Sequence, residues 1–237
     1  MADRPRWYGL DPSPIADGDG LVAFLSHVGI CLWTPMPNLD FPNLAEKMDL
    51  RKPDDIWDTW FWKDDLHEQK RLYYGKLLAG KPTFVSMDFL PNVVAALGDV
   101  DPHNLHERGA LTAEALRIYE ALLRHRQMAT GDLRRESGLA DRSSKSAYDK
   151  AVTSLGAIFQ ICKTGITGRT RGTYGYRWGL VEDWVPEVLE QAARIRPHNA
   201  ARAVADRLCE VGVDLRPKDL RRLFGWDAET AEAACTR

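Results

Sequence analysis

Residues 111–184 read LTAEALRIYEALLRHRQMATGDLRRESGLADRSSKSAYDKAVTSLGAIFQICKTGITGRTRGTYGYRWGLVEDW, and the spacing of apolar residues in this stretch decides the fold. Leu111, Ala115, Ile118 and Leu122 fall at i, i+4, i+7 and i+11, one apolar stripe along a helix. Thr130 is placed to cap a short second helix carrying Leu133, which Gly138 closes. Asp141 is placed to cap a third, with Ala147, Ala151 and Leu155 inward and Gly156 just past its end. After Gly156 the period drops to two, with Ile158, Gln160 and Cys162 alternating with Phe159, Ile161 and Lys163. A turn region at Gly165–Gly172 follows, then Tyr174, Tyr176, Trp178 and Leu180 alternate with Gly175, Arg177 and Gly179. Three helices followed by a hairpin predict a winged helix-turn-helix, which reads nucleic acid through its third helix.

The charge of this stretch points the same way. Between Arg124 and Arg177 there are eleven Lys/Arg against four Asp/Glu, a local net of +7, in a chain whose formal net charge is −2. Positive charge concentrated in one module suits release of counterions from a polyanion. Arg142, Lys145, Ser146, Asp149 and Thr153 share the face of the third helix opposite Ala147, Ala151 and Leu155. With Lys150 beside them, Lys163 on the first strand, and Arg169 and Arg171 on the wing, they form the expected DNA-contact set. Basic residues also serve simply as the solvated face of a helix, so a protein–protein module stays open.

Composition limits the alternatives. At 237 residues the chain has room for one or two domains and ample core, and 44% apolar with 28% charged residues is ordinary for a soluble globular protein. No run approaches the roughly 20 apolar residues of a membrane span, and Met1–Arg6 lacks the apolar stretch of a secretory signal, so a cytoplasmic location is expected. Cys31, Cys162, Cys209 and Cys235 are scattered, which argues against a disulfide framework or a zinc site. Pairs such as His27/Cys31 and His103/His106 supply only two ligands each. No metal or cofactor is expected.

Outside the central stretch the pattern is mostly helical. The tail to Gly20 reads as irregular and Leu21–Val28 as a helix, while the prolines at 35, 37 and 42 make Cys31–Pro42 a loop. Asn43–Met48 and Pro53–Tyr74 read as helices, and the span Asp40–Glu68 is acidic, nine Asp/Glu against four Lys/Arg. Trp57, Trp60 and Trp62 could stack bases, but their spacing puts two of the three on a core face. Lys81–Met87 reads as a strand, Asp88–Leu97 as a helix with Pro91 in its first turn, and Asp99–Arg108 as a linker. Helices follow at Trp184–Ile195 and Ala200–Val211, then one opened by Pro217 and stopped by Gly225, and a last one capped by Asp227. The expectation is a mainly α protein with small β-hairpins (α+β) in a tandem winged-helix layout. Its expected units are an N-terminal one at 1–108, the winged helix at 109–186 and a truncated helical segment at 187–237. A missing C-terminal wing leaves a homo-oligomer open.

The segments "LYYGKLLAGKPTFVSMDFLP", "RIYEALLRHRQMATGDLRRESGL" and "DLRRLFGW" resemble tandem winged-helix proteins of the AlkZ/YcaQ kind, in particular the shorter AlkZ-related group. The resemblance spans Gly20–Trp226. It implies stacked winged helices that embrace duplex DNA, and kinship with glycosylases that excise alkylated bases and unhook crosslinks. Those enzymes place water with a Gln-x-Gln motif. The corresponding stretch here is Gly29-Ile30-Cys31-Leu32-Trp33, so Cys31 and Trp33 occupy the glutamine positions. Neither side chain donates and accepts as an amide does, and excision also needs a pocket for a flipped nucleotide and a group that activates water. The expectation is a duplex-DNA-binding protein without glutamine-based catalysis. An active glycosylase using Asp64, Asp65 or Asp88 is the alternative.

Overall fold

The structure is a computed structural model that describes residues 13–48, 53–97 and 100–236; expectations for Met1–Pro12 and for the Trp57 side chain lie outside what it describes. The chain is mainly helical with two small antiparallel sheets. It opens with α1 (Gly18–Val28), capped by Asp17, β1 (Ile30–Leu32), α2 (Leu44–Lys47) and α3 (Pro53–Glu68). Next come β2 (Leu72–Lys76), β3 (Pro82–Ser86) and α4 (Leu90–Ala95). The first sheet has the order β1-β3-β2, with Cys31 opposite Phe84. Gly29, at φ 79°, makes the turn into β1, where a Cβ would also meet the Phe89 ring at 2.9 Å.

Three sequence expectations fail here. Cys31 and Leu32, read as the start of a loop, belong to β1 and pair with Phe84 and Thr83 of β3. The helix read to Tyr74 stops at Glu68, and residues from Leu72 form a strand. Lys70 takes φ 57°, and the Arg71 N–H returns to the Leu66 carbonyl, closing the helix without glycine. The expected linker at 99–108 contains α5 (Pro102–Glu107), capped by Asp101 with Pro102 in its first turn.

The central stretch continues with α6 (Ala113–His125), β4 (Gln127–Ala129), α7 (Thr130–Glu136), α8 (Lys145–Ala157), β5 (Ile161–Ile166) and β6 (Tyr176–Leu180). The helix–helix–helix–hairpin order is the expected one. β4 is an addition: it pairs with β6 and completes a sheet of order β4-β6-β5. Leu111, Ala115, Ile118 and Leu122 are all buried, as are Leu133, Ala151 and Leu155. Full burial of a leucine such as Leu122 or Leu155 is worth about 1.5–3 kcal/mol against exposure.

Local details differ. Thr130 is the first residue of α7 rather than its cap; its hydroxyl donates to the Tyr176 carbonyl and accepts from Trp178 Nε1, both at 3.0 Å. Asp141 makes no side-chain cap and precedes a 3-10 turn, Arg142–Ser144, that leads into α8. Gly156 lies inside α8, and Phe159 at φ 53° turns the chain, so the strand begins at Ile161 rather than Ile158.

The chain ends with α9 (Val181–Trp184), α10 (Pro186–Ala192), α11 (Pro197–Glu210), α12 (Pro217–Phe224) and α13 (Ala228–Cys235). Gly225 stops α12 and Asp227 caps α13, as the sequence predicts. Apolar residues of α10–α13 share one hydrophobic core with the first sheet, α1 and α4, while a second core lies under α6, α7 and α8. Among the described residues no helix is long and apolar enough to cross a membrane.

Candidate nucleic-acid interface

α8 is amphipathic, but its buried face is turned from the expected one: Ala147 is only half-buried, and Tyr148 and Val152 join Ala151 and Leu155 inside. Tyr148, Ala151, Val152 and Leu155 are buried, whereas Arg142, Lys145, Ser146 and Lys150 are exposed. Asp149 is half-buried and takes Lys145 as an ion-pair partner at 2.6 Å, while the half-buried Thr153 donates its hydroxyl proton back to the Asp149 carbonyl at 2.7 Å. An exposed i,i+4 pair of this kind contributes a few tenths of a kcal/mol and leaves both groups available to a stronger partner.

The hairpin is less free than the sequence suggests. Arg171 at its tip is exposed. Arg169 is ion-paired with Asp65 on α3 and lies 5.0 Å from the Phe61 ring, and Arg177 lies 3.6 Å from the Glu68 carboxylate. Thus the acidic last turns of α3 face the basic hairpin within the same molecule. The turn itself needs glycine, because a Cβ on Gly168 would collide with the Thr173 side chain.

Behind these surface pairs lies a buried polar network. The Lys63 side chain is fully buried; its ammonium donates to Asp64 Oδ2 at 2.6 Å and to the Tyr174 hydroxyl at 2.9 Å. Tyr174 in turn donates to the same carboxylate oxygen at 2.8 Å and lies 2.9 Å from the Tyr176 hydroxyl. Lys63 also stands 4.2 Å over the Trp60 ring. Burial pulls its pKa down, and Asp64 opposes that shift.

His67, one turn further along α3, ties the same helix to both sheets. Its Nδ1 accepts from the Tyr74 N–H at 3.1 Å and its Nε2 lies 2.6 Å from the Lys163 carbonyl. An Nδ1 that accepts requires the proton on Nε2, so the ring is the neutral Nε2–H tautomer donating to β5. Burial holds its pKa down at about 4.

Lys163 is placed differently from an exposed phosphate contact. It is half-buried, its ammonium 4.2 Å from the Tyr74 ring and 3.9 Å from the Tyr176 ring. Burial, then the neighbouring Lys63, bring its pKa down to about 7, with Asp64 partly opposing and Lys76 adding to the decrease.

The three candidate carboxylates are dispersed. Asp64 is buried in the network above, Asp65 is held by Arg169, and Asp88 is exposed beyond β3. Cys31 is fully buried in β1, and burial raises its pKa well above the usual thiol range. Trp33 stacks on Phe84 at 5.6 Å and meets the edge of Trp60 at 5.8 Å. Trp33, Trp60, Lys63 and Asp64 therefore form one continuous cluster. Of the three tryptophans of α3, two of them expected on a core face, Trp62 packs against the core and Trp60 is 36% exposed. Sequence reasoning missed Lys63, Tyr174 and Tyr176 as members of a common site. No local pattern marks them, because the contact joins residues over a hundred positions apart.

His27 is exposed while Cys31 is buried, and among the described residues no group of three or more His, Cys, Asp or Glu is placed to hold a metal ion. No curated protein and no solved structure matches the chain. The family described as AlkZ related matches it over residues 15–225. With that match covering most of its length, the chain belongs to the AlkZ-related family and is thereby related to DNA-repair glycosylases.

Proposed function

We propose that this protein binds double-stranded DNA as a cytoplasmic winged-helix protein and does not excise bases by the glutamine-based route. The observation that carries the reading is the outer face of α8. Lys145, Ser146 and Lys150 are exposed there, with Arg142 on the 3-10 turn that leads into it, on the third helix of a helix–helix–helix–hairpin unit, in a chain of the AlkZ-related family. In a duplex-bound pose α8 enters the major groove and the exposed Arg171 at the hairpin tip meets the backbone. Asp149 and Thr153 lie on the half-buried side of the same face, within reach of a base edge or a bridging water. Arg169 joins the contact once a phosphate displaces Asp65.

Loss of the excision chemistry follows from Cys31 in β1 and Trp33 just after it. A protonated thiol at Cys31, with no exposure, and an indole at Trp33, fixed between Phe84 and Trp60, neither place nor polarise a water. Asp64 is unsuited to take over, since its side chain is buried and ion-paired with Lys63. The test is incubation of the protein with duplexes carrying alkylated purines, scoring abasic sites. The expected result is binding without excision. Excision by the wild type that is abolished by Asp64→Asn, Asp65→Asn or Asp88→Asn would establish a carboxylate enzyme instead.

A further inference from the structure

A cavity of about 180 Å3 lies between the inner face of α8, strand β2 and the β5–β6 hairpin. Its walls include Tyr74, Tyr148, Val152, Lys163, Tyr176 and Trp178. Two polar groups there are unspent among the described residues. The Tyr148 hydroxyl is buried beside the Thr130 hydroxyl, with no acceptor for its own proton, and the Lys163 amine has neither an ion-pair nor a hydrogen-bond partner. A buried hydroxyl whose proton has no acceptor is costly to keep, and at a cavity wall it is available to a ligand that accepts from it.

The backbone aims Lys163 at this space. The β5–β6 register slips between Lys163 and Gly165, placing one extra residue in β5 next to the cavity. A bulge of this type redirects the side chains beside it. Lys163 lies opposite Trp178 across the ladder, with its ammonium between the faces of Tyr74 and Tyr176. The amine is thus held between ring faces, with Asp64 acting on it from a distance and no carboxylate in contact with it. Asp149 at the rim is already paired with Lys145, and Asp64 with Lys63.

Size and lining define the occupant. An apolar cavity of about 150 Å3 holds one benzene ring, whereas drug-sized ligands need roughly 300 Å3 or more. We infer that this cavity is a binding site for a single-ring aromatic carboxylate. The ring lies among Tyr74, Tyr176 and Trp178, and the carboxylate accepts from the Tyr148 hydroxyl and pairs with Lys163. The site does not depend on the DNA-binding reading and stands or falls without nucleic acid. Since the inner face of α8 forms one wall, an occupant would touch the helix that carries the exposed basic face.

The experiment is titration of the full chain with benzoate, followed by chemical-shift changes in the protein, beside benzamide as the neutral isostere and benzylamine as the cation. Benzoate is expected to bind saturably, at least tenfold tighter than either. Lys163→Met, which keeps the length of the side chain, is expected to lose at least tenfold in benzoate affinity. Tyr148→Phe removes only the unpartnered hydroxyl, so the fold is retained or gains stability while benzoate affinity falls several-fold. Equal binding of benzamide, no saturable benzoate binding at millimolar concentration, or unchanged affinity in both variants would overturn the assignment. A Lys163→Met variant that weakens only duplex binding would instead make Lys163 a phosphate contact and overturn it as well.

Discussion

Replacing Lys63 with methionine removes an ammonium whose side chain is fully buried and leaves the Asp64 carboxylate, 3% exposed, with the Tyr174 hydroxyl as its remaining donor. At 2.6 Å the pair's attraction is about 6 kcal/mol for an effective dielectric of about 20. Desolvating each ion costs several kcal/mol, so the net worth of the pair is small even though each half depends strongly on the other. Lys63→Met should therefore destabilise by about 3–5 kcal/mol. Asp64→Asn should sit at the lower end of that range, because burial already lowers the Lys63 pKa and the amine can shed its proton. The double variant, with neither charge, should return to within about 1–2 kcal/mol of wild type. Urea unfolding midpoints at pH 7, with unchanged slopes, measure all three. Single costs that simply add in the double variant, to within about 0.5 kcal/mol, would refute the coupling and with it the account of how α3 holds the hairpin.

Other expectations follow from the same contacts. Leu155→Ala should cost about 2–5 kcal/mol, since Leu155 is fully buried in the second core; a loss below about 0.5 kcal/mol in the urea midpoint would mean that α8 is misphased. His67 has a folded pKa of about 4 against 6.5 for the free side chain, so the unfolded chain binds the proton first. Its contribution is whole above pH 6.5, falls as pH drops toward 4, and amounts to roughly 3 kcal/mol at most. His67→Gln should flatten stability over that window, and an unchanged pH profile would contradict the neutral tautomer. Asp65→Asn with Glu68→Gln frees Arg169 and Arg177, and should tighten duplex binding and steepen its salt dependence by up to about two phosphate equivalents. Unaltered binding in that variant would show that the α3–hairpin contact persists on DNA.

The periodic parts of the fold were legible because burial imposes the period. The stripe from Leu111 to Leu122 and, on α8, Ala151 and Leu155 came directly from spacing, whereas Tyr148 and Val152 take the inward place read for Ala147; Gly225 and Asp227 marked their helix ends by local backbone chemistry. The stop of α3 was not legible, since Lys70 supplies the left-handed residue where glycine would have signalled it. β4 is three residues long and partly exposed, too short to carry an alternation. The site was legible only on its exposed side. Arg142, Lys145 and Lys150 are where the charge count implied, but the same count treated Lys163, Arg169 and Arg177 as free cations. Their partners, the rings of Tyr74 and Tyr176 and the carboxylates of Asp65 and Glu68, lie on distant segments. Linear charge counting has no access to such pairs.

The central claim is tested most directly by duplex affinity measured across a salt series for the wild type and for a variant with Arg142, Lys145, Lys150 and Arg171 all changed to Ala. All four are exposed, and exposed substitutions usually shift stability by less than about 0.5 kcal/mol each, so the fold should persist. The account predicts tight, strongly salt-dependent binding by the wild type. In the variant, affinity should fall by orders of magnitude and the slope of log K against log salt should flatten by up to about four contacts at roughly 0.9 each. A wild type that does not bind duplex DNA, or a variant whose slope is unchanged, would contradict it.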